Sequence, residues 1–175
     1  MAESEATSDP LSKLTPTPDN PEGRAALNFL AGIGLVAGTW AAFELMLDMN
    51  AIALGRIPLS AGFCLTSQVI GPSRKLDAYI ALARLRGAEK FMRKLNNIAK
   101  DVMALAERRN RVVHDSWSIL GNTIPSRLEV SARRRLRVEY IPVTSNGITG
   151  LLKNIQEIQA RFSNLHSAIL ADTET

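Results

Sequence analysis

Residues 91–117 read FMRKLNNIAKDVMALAERRNRVVHDSW, and this stretch decides the fold class. Apolar side chains recur along its first half at spacings of 4, 3, 4 and 3: Phe91, Leu95, Ile98, Val102 and Leu105. Residues at those intervals fall on one face of an α-helix, and neither proline nor glycine interrupts them. The pattern therefore predicts an amphipathic helix with one face buried in a helical core.

A second stripe of the same kind lies near the end of the chain. Its members are Leu151, Ile155, Ile158, Phe162, Leu165 and Ile169. Earlier, Gly71-Pro72 separates a segment at 59–70, ambiguous between helix and extended chain, from a further predicted helix over 73–86. Two uninterrupted stripes are typical of a helical bundle and also suit helix pairing between two subunits.

Between the two stripes the hydrophobic period changes to two, which is the period of a β-strand. The apolar side carries Leu128, Val130, Leu136, Val138 and Tyr140, and the charged side carries Arg127, Glu129, Arg135, Arg137 and Glu139. We predict an antiparallel hairpin that turns near Ser131–Arg134. The predicted fold is therefore mainly α: an antiparallel helical bundle with one β-hairpin inserted before the C-terminal helix.

Length and composition limit the remaining choices. A chain of 175 residues builds a single domain with its own core. One cysteine and two histidines exclude an intramolecular disulfide, a multi-cysteine zinc site and a histidine-rich metal centre. No metal and no cofactor is predicted. Cys64 has no histidine or basic residue nearby in sequence, so we interpret it as buried and inert.

Charge divides the chain unevenly. Residues 1–24 hold five acids and two bases, net −3, which leaves +7 for the remainder of a chain whose total is +4. The prolines of this segment oppose helix formation, so we predict a disordered acidic arm at 1–22 and a single helical domain at 23–172. A basic body attracts polyanions such as nucleic acid, although a few positive charges also simply keep a protein in solution.

The nineteen residues from Ala25 to Phe43 carry no charge and are long enough to span a bilayer. Asn28 and Thr39 interrupt them, and Glu44 and Asp48 follow in the same predicted helix. We therefore favour a buried core helix over a membrane span. The first residues lack the basic and apolar regions of a signal peptide, so a cytoplasmic protein without a membrane partner is expected.

The densest polar cluster is residues 107–117. Histidine is the side chain best suited to proton exchange near neutral pH, and the arginine fork pairs with phosphate oxygens. His114 is thus placed to move a proton at a ribose 2′-hydroxyl or a leaving oxygen, while Arg109 neutralises the phosphate. On a straight helix the two are separated by about 140°, so a shared site needs a bend or a cleft that both reach.

Arg109-Asn110-x-x-x-His114 resembles the signature of the HEPN superfamily, which are all-α domains that include many metal-independent endoribonucleases. An amphipathic helix before the motif, a tryptophan after it and a hairpin leading to a final helix agree with this resemblance, which covers roughly 25–171. It implies that Arg109 and His114 are catalytic and that Asn110 orients them. It also implies a homodimer whose two motifs face one cleft, RNA as substrate, a toxin or phage-defence role and an antitoxin partner.

Three neighbours of the motif are predicted to bind RNA: Arg108, Arg111 and Trp117. The alternatives are a solvated, cationic helix end for the arginines and a core anchor for the tryptophan. Residues 74–111 hold eleven bases and four acids, which suits either an RNA backbone or a charge-laced helix surface. Glu44 lies in an apolar helix and is a candidate ion-pair partner of the motif arginine.

Arg161 and His166 repeat the same spacing, but a phenylalanine follows this arginine where the motif has a polar residue. His166 borders the apolar stripe and is interpreted as a helix-surface or core-edge histidine. Three function classes remain open. They are a HEPN-like endoribonuclease, a HEPN-like scaffold that binds nucleic acid or protein without cutting, and a small membrane-associated helical protein.

Overall fold

The computed structural model describes Asp19, 21–118, 125–131 and 136–173. Helices dominate these residues, and a small sheet precedes the last helix, as the sequence predicts. The helices and strands are α1 Pro21–Gly55, α2 Leu59–Thr66, α3 Pro72–Leu85, α4 Met92–His114, β1 Ser116–Ser118, β2 Ser126–Ser131, β3 Arg137–Pro142 and α5 Ser145–Thr173. A short 3-10 turn at Glu89–Phe91 leads into α4.

The core lies between α1, α3, α4 and α5, and α1 contacts each of the other three. The predicted stripe of α4 is buried from Leu95 to Leu105, and that of α5 is buried throughout. Phe162 of α5 sits between two aromatic rings, with its centroid 6.5 Å from that of Phe43 and 4.9 Å from that of Tyr79. The amphipathic stripes therefore meet in one shared core.

Glycines end and separate the helices where the sequence predicts a break. Gly71 and Gly87 have φ angles of 85° and 80°, a left-handed conformation that only glycine adopts at little cost. Pro72 then occupies the first turn of α3, where its missing N–H is not needed. The ambiguous segment at 59–70 forms the short helix α2 over most of its length.

The predicted acidic arm is two residues too long at its end, because α1 already begins at Pro21. Proline suits the first helical position, so this residue starts the helix instead of breaking it. Residues 1–18 and 20 of the arm lie outside the described residues.

Cys64 is exposed, so its interpretation as a buried residue is wrong. The helix that carries it buries only Gly62, which packs against the side chain of Ile52 in α1. The other residues of α2 are exposed or half-buried. A lone thiol among apolar neighbours gives no sequence signal of this exposure.

Helix α1 has two different faces. Phe29, Val36, Trp40 and Phe43 point into the core, whereas the opposite face is exposed along most of the helix. The buried-helix interpretation therefore holds for the inner face only. Among the residues that the structure describes, Gly23–Gly55 is the helix long and apolar enough to cross a membrane, by length and composition alone, with mean hydropathy 1.6 in its most apolar window.

The predicted hairpin forms between β2 and β3, in a described sheet of strand order β1-β2-β3 with both pairings antiparallel. Leu128 pairs with Tyr140 and Val130 with Val138, so the apolar side chains share one side of the sheet. That side is exposed, with Val130 at 59% and Tyr140 at 65%. The predicted turn residues 132–134 lie outside the described residues, and β1 was not predicted.

His166 forms a buried hydrogen-bonded pair with Tyr79, with 2.8 Å between His166 Nδ1 and the tyrosine hydroxyl. The contact joins α3 to α5 inside the core. Burial lowers the pKa of His166 below its ordinary value of 6.5. This histidine therefore lies in the core, deeper than the helix-surface or core-edge position that the sequence predicted.

We expect this pair to make the fold sensitive to acid. The unfolded chain keeps the ordinary histidine pKa, so it binds a proton before the folded chain does as pH falls through about 6.5. The stabilising contribution of neutral, buried His166 is therefore fully present above that pH. Below it the free energy of unfolding falls by at most about 1.4 kcal/mol per pH unit, the limit for one proton. Urea titrations of the wild type and His166→Gln between pH 8 and pH 5 measure the free energy of unfolding across the ordinary histidine pKa. We expect this free energy to depend less on pH in the variant. An equal dependence in both proteins contradicts the expectation.

Packing of α2 on α1 depends on the absence of a side chain at Gly62. A Cβ atom there meets Ile52 Cγ1 at 2.5 Å, so Gly62→Ala forces one helix away from the other. We expect a loss of about 1–3 kcal/mol in the free energy of unfolding. Gly150→Ala in α5 is the matched control, since a Cβ there meets nothing within 4 Å and alanine favours the helix by about 1 kcal/mol. Denaturant unfolding measures both variants. If their free energies of unfolding change in the same direction relative to the wild type, this account is wrong.

Candidate functional site

The three predicted catalytic residues lie in the last two turns of α4, beyond the end of its apolar stripe at Leu105. Helix α4 continues through His114 and ends at Asp115, whose backbone is extended. Val112 and Val113 still pack against the core, which fixes the position of this helix end. Arg109 is half-buried, and Asn110 and His114 are exposed.

The structure brings these three side chains together. Arg109 Nη1 lies 3.1 Å from His114 Nε2 and 3.1 Å from Asn110 Oδ1. The helix runs without a break over all three residues. The long arginine side chain covers the angular separation between them.

A guanidinium has hydrogen-bond donors only, so Arg109 is the donor where it contacts the imidazole, and His114 Nε2 is the acceptor in the tautomer that carries its proton on Nδ1. Arg109 Nε is buried and has no partner among the described residues. The site thus presents a basic nitrogen and a cation at one point, with the Asn110 amide holding the cation.

Trp117 anchors the segment that follows the motif. Its ring packs edge-on against Phe29 of α1 with centroids 4.9 Å apart, and its Nε1 donates to the Val112 carbonyl oxygen at 2.9 Å. The structure places this residue as a half-buried core anchor, the alternative considered above. Base stacking by Trp117 stays a prediction.

The other predicted RNA-binding residues are exposed. Arg111 forms an ion pair with Glu107, one turn earlier, at 2.7 Å, and Arg108 lies on the helix surface. Glu44 accepts a hydrogen bond from Trp40 Nε1 at 2.8 Å and pairs with no arginine in the part of the chain that the structure describes. Its predicted pairing with the motif arginine is therefore wrong, because the nearby indole N–H satisfies the carboxylate.

The second Arg-x4-His sequence does not form such a site. Arg161 Nη1 binds Asp101 Oδ2 at 2.8 Å on the surface, while His166 is buried against Tyr79. Two pairs with the same spacing thus differ completely in structure. The polar residue after the arginine is the sequence signal that separates them.

A buried ion-pair cluster beside the motif escaped the sequence reading. Arg127 of β2 is 9% exposed and binds Asp115 Oδ2 at 2.9 Å and Glu129 Oε2 at 2.8 Å. It joins the sheet to the residue after His114. Strand alternation placed Arg127 on the charged side of the hairpin, but alternation does not reveal which side is buried.

Two clefts are found at a distance from the motif. They lie between α4 and α5 and measure about 390 Å³ and 250 Å³, and their linings include Lys94, Arg161 and Asp101 but neither Arg109 nor His114. Over the described ranges, no group of three or more histidine, cysteine or acidic side chains is arranged to hold a metal ion.

No protein-family model, no curated protein and no solved structure matches this chain. The resemblance to HEPN domains therefore depends on the motif and its surroundings.

We expect Arg127 to be essential for holding the sheet. Arg127→Ala leaves two partly buried carboxylates without their cation and should lower the free energy of unfolding by about 2 kcal/mol. Arg137→Ala is the matched control, because Arg137 pairs with Glu139 across an exposed surface and its loss should change stability by less than about 0.5 kcal/mol. Thermal unfolding of both variants tests this, and equal effects contradict it.

Proposed function

We propose that this chain is a HEPN-like endoribonuclease in which Arg109, Asn110 and His114 cleave RNA without a metal ion. The observation that supports the proposal is the 3.1 Å separation of Arg109 Nη1 and His114 Nε2 on an exposed helix end. A basic nitrogen and a guanidinium at that distance both reach one phosphodiester.

The reaction uses the RNA's own nucleophile. A phosphate that accepts hydrogen bonds from Arg109 draws the guanidinium away from His114 Nε2, which then takes the proton of the ribose 2′-hydroxyl. The 2′-oxygen attacks phosphorus, the bond to the 5′-oxygen breaks, and the leaving oxygen takes a proton from water. The hydroxide that remains takes the proton from His114, which returns the imidazole to its starting state. The products are a 2′,3′-cyclic phosphate and a 5′-hydroxyl end. Arg109 neutralises the added negative charge on phosphorus, and Asn110 keeps Arg109 in place.

The surroundings supply binding groups for the substrate. Arg108 and Arg111 stand on either side of Arg109 in sequence and are exposed, so they suit neighbouring phosphates of the strand. A homodimer, an antitoxin partner and a role in a toxin or defence system follow from the family resemblance and are parts of this proposal. The cytoplasmic location predicted from the first residues is a further part of it.

We expect His114→Ala to lower RNA cleavage by at least about 100-fold and Arg109→Ala by a similar or larger factor. The assay uses purified full-length protein, unstructured RNA and EDTA, and the same RNA with 2′-deoxyribose throughout should resist cleavage. His114 is exposed, so circular dichroism and melting temperature should not change in its variant.

Arg161→Ala is the matched control, because it removes the arginine of the second Arg-x4-His sequence and should leave the rate unchanged. Cleavage that persists in His114→Ala, or that also affects the deoxy strand, contradicts the proposed mechanism.

A non-catalytic HEPN-like scaffold that binds nucleic acid or protein is the second candidate. The observation that favours it is the position of the two clefts, which are lined by other residues of α4 and α5. RNA binding by the wild type without any cleavage, in a gel-shift assay beside the cleavage assay, selects this candidate over the first.

A further inference from the structure

Tyr140 of β3 is the most exposed aromatic side chain among the residues that the structure describes. It is 65% exposed, whereas Phe63 in α2 is 36% exposed and the aromatic rings of the bundle core are buried. Trp117 is the aromatic residue nearest the motif in sequence, but it is half-buried and its ring packs on Phe29. The ring of Tyr140 is therefore the one that the packing of the bundle does not use.

The strand register places Tyr140 close to the motif. Ser116 of β1 is in register with Leu128 of β2, and Leu128 is in register with Tyr140. Neighbouring strands lie about 4.8 Å apart, so the Cα atoms of Tyr140 and Ser116 are on the order of 10 Å apart. Ser116 follows His114 by two residues, which is at most about 7 Å of extended chain. A strand of a few nucleotides therefore spans the distance from His114 to Tyr140.

Two connections hold Tyr140 at a defined distance from the motif. One is the backbone pairing of the three strands, in which β2 lies between β1 and β3. The other is the buried guanidinium of Arg127 in β2, which binds Asp115, the residue directly after His114. Because the ring is held in place before a ligand arrives, binding on it costs little conformational entropy.

The side of the sheet that carries Tyr140 is uncharged over the described strand residues. Successive residues of a strand point to opposite sides, so Tyr140 shares its side with Val138, Leu128 and Val130, while Arg127 and the glutamates of the strands lie on the other. Val130 is 59% and Val138 is 52% exposed. An exposed ring among aliphatic neighbours suits a flat apolar surface such as a nucleobase.

The motif end of α4 supplies the cations that a nucleic-acid strand needs beside such a ring. Arg111 is paired with Glu107, whereas Arg108 and Arg109 form no ion pair in the described part of the chain. Phosphates bind to cations and bases stack on aromatic rings, so an RNA strand can use both groups at once. This combination favours RNA over a protein partner, which would use the apolar side of the sheet alone.

We propose that Tyr140 is a base-stacking subsite for a single-stranded RNA whose scissile phosphate lies at Arg109 and His114. The inference rests on the proposed function and adds the form of the substrate. A base of a duplex is already stacked on its neighbours, so this subsite takes unpaired nucleotides. Every base has a π-face, so the subsite selects single strands over duplexes and not one sequence over another. Tyr140 binds and orients the strand and transfers no proton.

Binding of a short single-stranded RNA to the full-length chain tests this inference. Each 2′-hydroxyl of the RNA is replaced by fluorine, which removes the nucleophile and keeps the strand intact during the measurement. We expect Tyr140→Leu to raise the Kd by about 5- to 100-fold, the range for the loss of one stacked base. Tyr140→Phe keeps the ring and should bind as tightly as the wild type. Fluorescence anisotropy measures the Kd, and circular dichroism checks that each variant is folded.

Phe63→Leu is the matched control, because it removes an exposed ring far from the motif. Helix α2, which carries Phe63, packs at Ile52, about 35 Å along α1 from the residue Phe29 that contacts Trp117. Its affinity for the strand should equal that of the wild type. A duplex of the same RNA is a second control, and the wild type and Tyr140→Leu should bind it equally.

Equal affinity of the wild type and Tyr140→Leu for the single strand overturns the inference, as does a loss of the same size in Tyr140→Phe or Phe63→Leu. A wild type that does not bind the fluorinated strand overturns it as well. Cleavage of unmodified RNA in EDTA is measured separately. Binding that depends on Tyr140 without cleavage defeats the catalytic proposal alone, and cleavage with binding that does not depend on Tyr140 defeats the subsite alone.

Discussion

The inner face of α1 is the constraint on which the rest of the structure depends. It is the surface that α3, α4 and α5 share, and its aromatic residues fill the centre of the bundle. The position of every other described helix follows from contact with this one. Helices or segments that pack against α1 or its neighbours fix the positions of the motif, of the buried His166 and of the anchoring Trp117.

The helices were predictable because their signal is local. The stripes of α4 and α5 and the break at Gly71-Pro72 depend on neighbouring residues, and the structure has all of them. Strand alternation likewise predicted β2, β3 and their antiparallel pairing. By contrast β1 has only three residues, which is too short for a period of two to be recognised.

The features that sequence did not reveal depend on tertiary contacts. The alternation of apolar and charged residues assigned the side chains to two sides of the hairpin. It could not show that Arg127 is buried and Tyr140 is exposed. A helical wheel gives the direction of each Cα–Cβ bond, so it separated Arg109 from His114 and missed the reach of the arginine. The same limit applies to Cys64, whose exposure follows from how α2 lies on α1.

The ion pairs of Arg127 also bear on how the molecule opens. Asp115 directly follows the imidazole of the motif, and Arg127 ties it to the middle strand of the sheet. Detachment of the sheet from the bundle removes this ion pair and leaves the end of α4 without its contact to the middle strand. We expect local unfolding of the sheet to loosen the last turn of α4, so that amide protons in both places exchange faster with solvent water.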